Sequence, residues 1–203
     1  ERGKEKRDNE DIVGALEDFK KAISLDPDNY MILNSLGRTE FELENYDEAD
    51  IAYSKALDLN PEDALILLNR AECRNDAGRY QQALEDINKS DEINPNRLRT
   101  CTIRCEIHDN LGNYDLAIKD LSIWVEQEPD NAYAFFKRGL MHERLEKHEE
   151  AIEDFKASLC IREGMAPALL GLGNNYSAIG QDQLAISSFL EVIEKSESHW
   201  HSR

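Results

Sequence analysis

The chain has 203 residues, 24 basic against 42 acidic side chains and a formal net charge of −18. Such an excess of acid repels phosphate backbones, which argues against nucleic-acid binding. No apolar run approaches the roughly 18 residues of a spanning helix and no signal peptide is visible, so direct membrane insertion is not expected.

Residues 1–29 read as a helix pair truncated at its N-terminus, with its second helix from about Ile12 to Leu25. More of the same repeat, or another domain, is expected upstream of Glu1. Residues 30–63 carry two apolar stripes. The first is Leu33, Leu36, Gly37 and Phe41, and the second is Tyr46, Ala49, Tyr53, Ala56 and Leu59. Steps of three and four place each stripe on one helix face, so helices A and B are expected near 30–43 and 46–59. The pair then recurs at 64–97, 98–131, 132–165 and 166–199. The loops between copies read Asp-Pro-Asp-Asn, Asn-Pro-Glu-Asp, Asn-Pro-Asn-Arg and Glu-Pro-Asp-Asn. Proline ends helix B, and the following Asp or Asn can cap the next helix A. Gly78, Gly112 and Gly180 stand just after helix A, where a left-handed residue closes a helix. The loop Arg162-Glu163-Gly164-Met165 lacks the proline, while Pro167 sits in a first helical turn. Residues 200–203 look like the start of a truncated further element.

The register is strict. Ala15, Ala49, Ala83, Ala117, Ala151 and Ala185 are spaced by 34 residues without insertion. A fixed period of this size signals stacked repeats, because one hairpin cannot bury both of its faces. The small residues Gly37, Ala71, Cys105, Gly139 and Gly173 on helix A are expected to let the helix B alanine approach closely. The expected fold is a single all-α array over 1–203, a right-handed superhelical solenoid of antiparallel helix pairs.

This pattern resembles the tetratricopeptide repeat, whose unit and key positions match over essentially the whole chain. Positions are numbered one to thirty-four, with Tyr30 as position one of the second copy. The resemblance implies that positions two, five, nine and twelve of helix A line an inner groove that grips peptides, with position six next to them. The candidate groove residues are Asn34, Arg38, Asn69, Arg99, Tyr133, Phe136, Lys137, Leu140 and Asn174. Aromatic and aliphatic members supply apolar anchorage. Lys137, Arg38 and Arg99 suit an acidic or C-terminal carboxylate group. One subfamily clamps the acidic tails of heat-shock chaperones. Here only Asn69 matches that clamp outright, Arg99 is a plausible replacement for a lysine, and Ile103 stands where a cation is needed.

Arg70, Arg104 and Arg138 share position seven and invite reading as a basic ladder. Position 23 of the same copies holds Asp86, Asp120 and Asp154. Arg2 and Asp18 repeat the match, whereas Leu36 and Leu172 face Ala52 and Ser188. This sorting points to structural ion pairs between helices A and B. Cys73, Cys101, Cys105 and Cys160 show no metal spacing and read as free thiols of a reducing, cytoplasmic setting. His108 and His142, both at position eleven, read as packed, hydrogen-bonded side chains. No catalytic constellation, metal site or cofactor motif stands out.

The expected function is a non-catalytic protein-interaction scaffold binding a partner segment with apolar anchors and an acid. Two alternatives stay open: a regulatory array of a larger multidomain enzyme, and a sensor of small peptides or ligands. Oligomerisation through open array ends also stays open.

Overall fold

A computed structural model describes residues 11–95 and 98–201, with side chains described as far as Lys195 in the last helix. The described residues form eleven helices. They are α1 (Ile12–Leu25), α2 (Tyr30–Glu42), α3 (Tyr46–Leu59), α4 (Ala64–Asp76), α5 (Tyr80–Ile93) and α6 (Leu98–Asn110). They continue as α7 (Tyr114–Gln127), α8 (Ala132–Arg144), α9 (His148–Ile161), α10 (Ala166–Ala178) and α11 (Asp182–His201). The expected helix A of the first copy and the Arg2–Asp18 pairing lie outside the described residues. The helices fall into two compact units, one through Ile103 and one from Arg104.

Many helix boundaries have a local cause. Asn29, Asp63 and Asn131 cap α2, α4 and α8 by accepting bonds from backbone N–H groups two or three residues on. Asp11 caps α1 in the same way. Helix A always closes alike. The position-sixteen N–H donates to the position-eleven carbonyl at 2.9, 2.7, 2.8, 2.9 and 2.8 Å, from Asn45, Arg79, Asn113, Lys147 and Gln181. This six-to-one bond requires a left-handed residue at position fifteen. Gly78, Gly112 and Gly180 supply it, and so do Glu44 (φ 60°) and Glu146 (φ 57°), where a side chain is forced into that region.

In the first unit the core gathers Leu33, Ala49, Tyr53, Ala56, Leu57, Ile66 and Leu67, flanked by Ile23 and Phe41. In the second, one cluster centres on Ile152, Phe155, Ala168 and Leu172, and another on Cys105, Leu121 and Met141. The position-twenty alanines are buried, but they are not what the small helix A residue meets first. A Cβ on Gly37 would lie 2.8 Å from the Tyr53 ring. On Gly139 it would lie 2.9 Å from Phe155, and on Gly173 2.5 Å from Phe189. Glycine at position eight therefore answers an aromatic ring at position 24. Where position 24 is Ile87 or Leu121, position eight is Ala71 or Cys105. The expectation of alanine against glycine thus needs refining, because the larger group of helix B sets the spacing.

Candidate peptide-binding faces

The arginines at position seven point at helix B. Arg70 grips Asp86 through Nε and Nη2 at 2.8 and 2.7 Å. Arg104 and Asp120 meet at 2.7 Å, and so do Arg138 and Asp154. All three aspartates are buried, so each carboxylate depends on its fork of charge-assisted bonds. The arginines also reach one repeat back. Arg70 Nη1 donates to Ser54 Oγ at 3.0 Å, and Arg138 Nη1 to Ser122 Oγ at 3.3 Å. In the first unit the network extends further. Arg74 bridges Asp86 and Asp50, and Arg79 bridges Asp50 and Asp47. Sequence reasoning missed Arg74 and Asp50, because position eleven is not repeated: it holds Glu40, Arg74, His108, His142 and Tyr176.

His108 and His142 occupy the Arg74 slot in the second unit. Each Nε2 lies near an aspartate, 3.9 Å from Asp120 and 3.6 Å from Asp154, beyond hydrogen-bond range. Both Nδ1 atoms are buried without a hydrogen-bond partner. The rings are packed as expected, but the expected hydrogen bonding is not there. An imidazole is shorter than a guanidinium and does not span the gap. Burial pushes both histidine pKa values down, against the pull of the neighbouring aspartates.

In the first unit the predicted groove residues gather. Asn69 donates to Asn34 Oδ1 at 3.1 Å. Asn69, Arg38 and Arg99 line a pocket of about 200 Å³ with Phe41, Glu42, Tyr53 and Glu72. Tyr53 is 1% exposed, and burial drives its phenol pKa up while Arg38 and Arg99 pull against that rise. Neither arginine stands alone. Arg38 Nε meets Glu42 at 3.1 Å and Arg99 Nη2 meets Glu72 at 2.5 Å. The spacing of Arg38 and Glu42, four residues apart on one helix, was the available signal for the first pair. A ligand carboxylate here shares or displaces an internal acid.

In the second unit Tyr133, Phe136 and Lys137 come together on α8. Tyr133 is 44% exposed, its ring 6.2 Å from Phe136 and 6.0 Å from Trp124. Phe136 is half-buried and reaches Phe155 at 6.0 Å. Lys137 Nζ sits 5.6 Å from the Tyr133 ring centre. Burial lowers the Lys137 pKa, but Tyr133, Glu106 and Asp109 outweigh it, so the ammonium is held above its ordinary value. Leu140 is drawn partly into the core, packing on both clusters of the unit. Asn174 is exposed on α10. Tyr133 also borders an open hollow of about 550 Å³ with Ile161 and Arg162, which the sequence reading did not anticipate.

Burial pushes the Cys73 and Cys105 thiols up to about 12, which makes them inert, while Cys160 is an exposed free thiol. Among the described residues no group of His, Cys, Asp and Glu could hold a metal ion, and no helix is long and apolar enough to cross a membrane.

A family model described as Tetratricopeptide repeat matches residues 43–97 and 107–168, and a second of the same description matches 19–50. The crystal structure of MamA protein is similar at TM-score 0.78 and 24% identity, over 83% of this chain and 92% of that one. MamA 41-end from Desulfovibrio magneticus RS-1 is similar at 0.79 and 19%, over 83% and 96%. YrrB, described as a TPR protein with an unusual peptide-binding site, is similar at 0.78 and 19%, over 90% and 94%. No curated protein matches. At these identities the likeness establishes the fold.

Proposed function

We propose a function from one settled premise: this chain belongs to the tetratricopeptide repeat family. It acts as a non-catalytic scaffold that binds a segment of a partner protein through its helix A faces. The observation that carries this reading is the exposed Tyr133 ring with the half-buried Phe136 and Lys137 beside it. A merely solvated helix face would be polar there, and exposed aromatics of this kind serve as interface anchors.

The partner segment carries apolar anchors for Tyr133, Phe136 and Leu140, and at least one acid. Lys137 meets that acid beside the aromatics, and Arg38 and Arg99, with Asn69 and Asn34 beside them, form an acid-binding site of the first unit in its own right. Asn174 supplies a polar contact to peptide backbone. The pairs Arg70–Asp86, Arg104–Asp120 and Arg138–Asp154 hold helices A and B together and take no part in binding. A reducing, cytoplasmic setting belongs to the same proposal and rests on the exposed thiol of Cys160. YrrB, a relative in fold, is described by its peptide-binding site, which favours a peptide over a small-molecule ligand.

The test is selection of a random-peptide display library on the intact chain. The reading expects enrichment of segments combining aliphatic or aromatic residues with Asp, Glu or a free C-terminus. Enrichment of basic peptides, or none at all, contradicts it.

A further inference from the structure

Three helix A segments of the first unit close on one pocket, and its charges cancel. Arg38 and Glu42 come from α2, Glu72 from α4 and Arg99 from α6. Position nine changes sign between consecutive copies, from Arg38 to Glu72. Glu42 meets Arg38 at 3.1 Å, and Glu72 meets Arg99 at 2.5 Å. The lining therefore holds two cations and two anions. Their side chains are between 28% and 58% exposed, within reach of a solute.

This balance decides what fits. A carboxylate that takes an arginine leaves a glutamate without its partner. An ammonium that takes a glutamate leaves an arginine without one. A zwitterion replaces both partners together, so every charge stays compensated. The exposed pairs that it exchanges are individually weak. The amides fit the same demand. Asn69 donates to Asn34 Oδ1 at 3.1 Å, and after that bond Asn69 retains its acceptor oxygen and Asn34 its amide donors. The half-buried Phe41 and the buried Tyr53 add ring surface to the wall. Drug-sized ligands occupy roughly 300–1,000 Å³, whereas this pocket offers about 200 Å³. Each cation also lies one hydrogen bond from its anion, which asks for two charged ends close together, as on the single α-carbon of an amino acid.

We propose that this pocket binds a free α-amino acid with an apolar side chain. The carboxylate takes Arg38 and Arg99, the ammonium takes Glu42 and Glu72, and the side chain lies against Phe41 and Tyr53. An acidic peptide satisfies only the arginines. The inference rests on the reading of Arg38 and Arg99 as an acid-binding site, and it leaves the α8 face as the peptide site.

The probes are leucine, N-acetyl-leucine and leucinamide, titrated into the full chain while the Nε–H signals of Arg38 and Arg99 are followed by NMR. Leucine should give saturable shifts, and each blocked form should bind at least tenfold more weakly. The double variant Glu42→Gln, Glu72→Gln should close that gap, weakening leucine and strengthening N-acetyl-leucine. Its thermal unfolding should match wild type, since both pairs are solvent-facing. Binding of N-acetyl-leucine as tight as that of leucine, in the wild-type chain, overturns the inference and leaves the acid-binding reading standing. Equal binding of leucinamide overturns the inference, because the arginines then contribute nothing. Absence of shifts with all three probes at millimolar concentration overturns the inference and the acid-binding reading together.

Discussion

The pairing of glycine with an aromatic ring makes a sharp prediction at Gly37. A Cβ there would stand 2.8 Å from Tyr53 Cδ1 and Cε1 and 3.1 Å from Cγ. Ordinary carbon contacts lie near 3.5–4.0 Å. The ring or the helix must therefore yield by most of an ångström, and Tyr53 is fully buried. Overpacking of this kind costs about 1–3 kcal/mol. The better helix propensity of alanine returns about 1 kcal/mol. Gly37→Ala should then lower stability by roughly 0–2 kcal/mol in the wild-type background. In a Tyr53→Ile background the pair becomes alanine against isoleucine, the arrangement of Ala71 and Ile87. There the same substitution should stabilise by about 1 kcal/mol. Urea unfolding of wild type, both single variants and the double variant gives the coupling energy, expected at about 1–3 kcal/mol. A coupling below about 0.5 kcal/mol would refute the reasoning, because the two residues would then behave as independent sites.

Three further predictions follow from the same geometry. Arg138→Ala strands a buried carboxylate and should cost about 3 kcal/mol, whereas Arg138→Leu with Asp154→Ser, the natural pair of Leu172 and Ser188, should cost much less in chemical unfolding. Glu44→Gly and Glu146→Gly relieve a left-handed side chain and should each raise stability by about 1 kcal/mol, read as a higher melting temperature. The folded pKa values of His108 and His142 lie below their ordinary 6.5. Their contribution to stability is therefore complete above about pH 6.5 and lost as pH falls through the lowered folded values. A double His108→Gln, His142→Gln variant should lose less melting temperature between pH 7.5 and 5.5 than wild type, and an unchanged slope would count against this.

Much of the fold was legible because the repeat samples each position several times. A single Asp at position 23 is only a charge on a helix. Three of them, each matched by an arginine sixteen residues earlier and absent where that arginine is leucine, imply a contact. Helix ends were legible for the same reason, since Pro and the capping Asp or Asn recur. Glu44 and Glu146 show where this reading stops. The left-handed conformation is imposed by the closing six-to-one bond, so the residue type no longer announces it. The groove was the least legible part. Position in the repeat placed Asn34, Arg38, Asn69 and Arg99 on one face. Of the two acids that pair with these arginines, Glu42 at position thirteen lies outside the positions chosen for that face, while Glu72 stands at position nine of it and its pairing across copies with Arg99 had no spacing signal. Leu140 similarly turned out to be shared with the core, because a stripe beside the packing face grades into it.

The central claim is that Tyr133 and Phe136 of α8 bind a partner segment. The direct measurement is isothermal titration of a display-selected peptide into wild type, Phe136→Ala and the Arg38→Ala, Arg99→Ala double variant. The account predicts a loss of about 2 kcal/mol for Phe136→Ala, roughly a thirtyfold weaker Kd, with the helical signal and cooperative unfolding retained. For acidic peptides held by the first unit it also predicts weaker binding and a reduced salt dependence in the arginine variant. Wild-type affinity in both variants, with the fold intact, would contradict it.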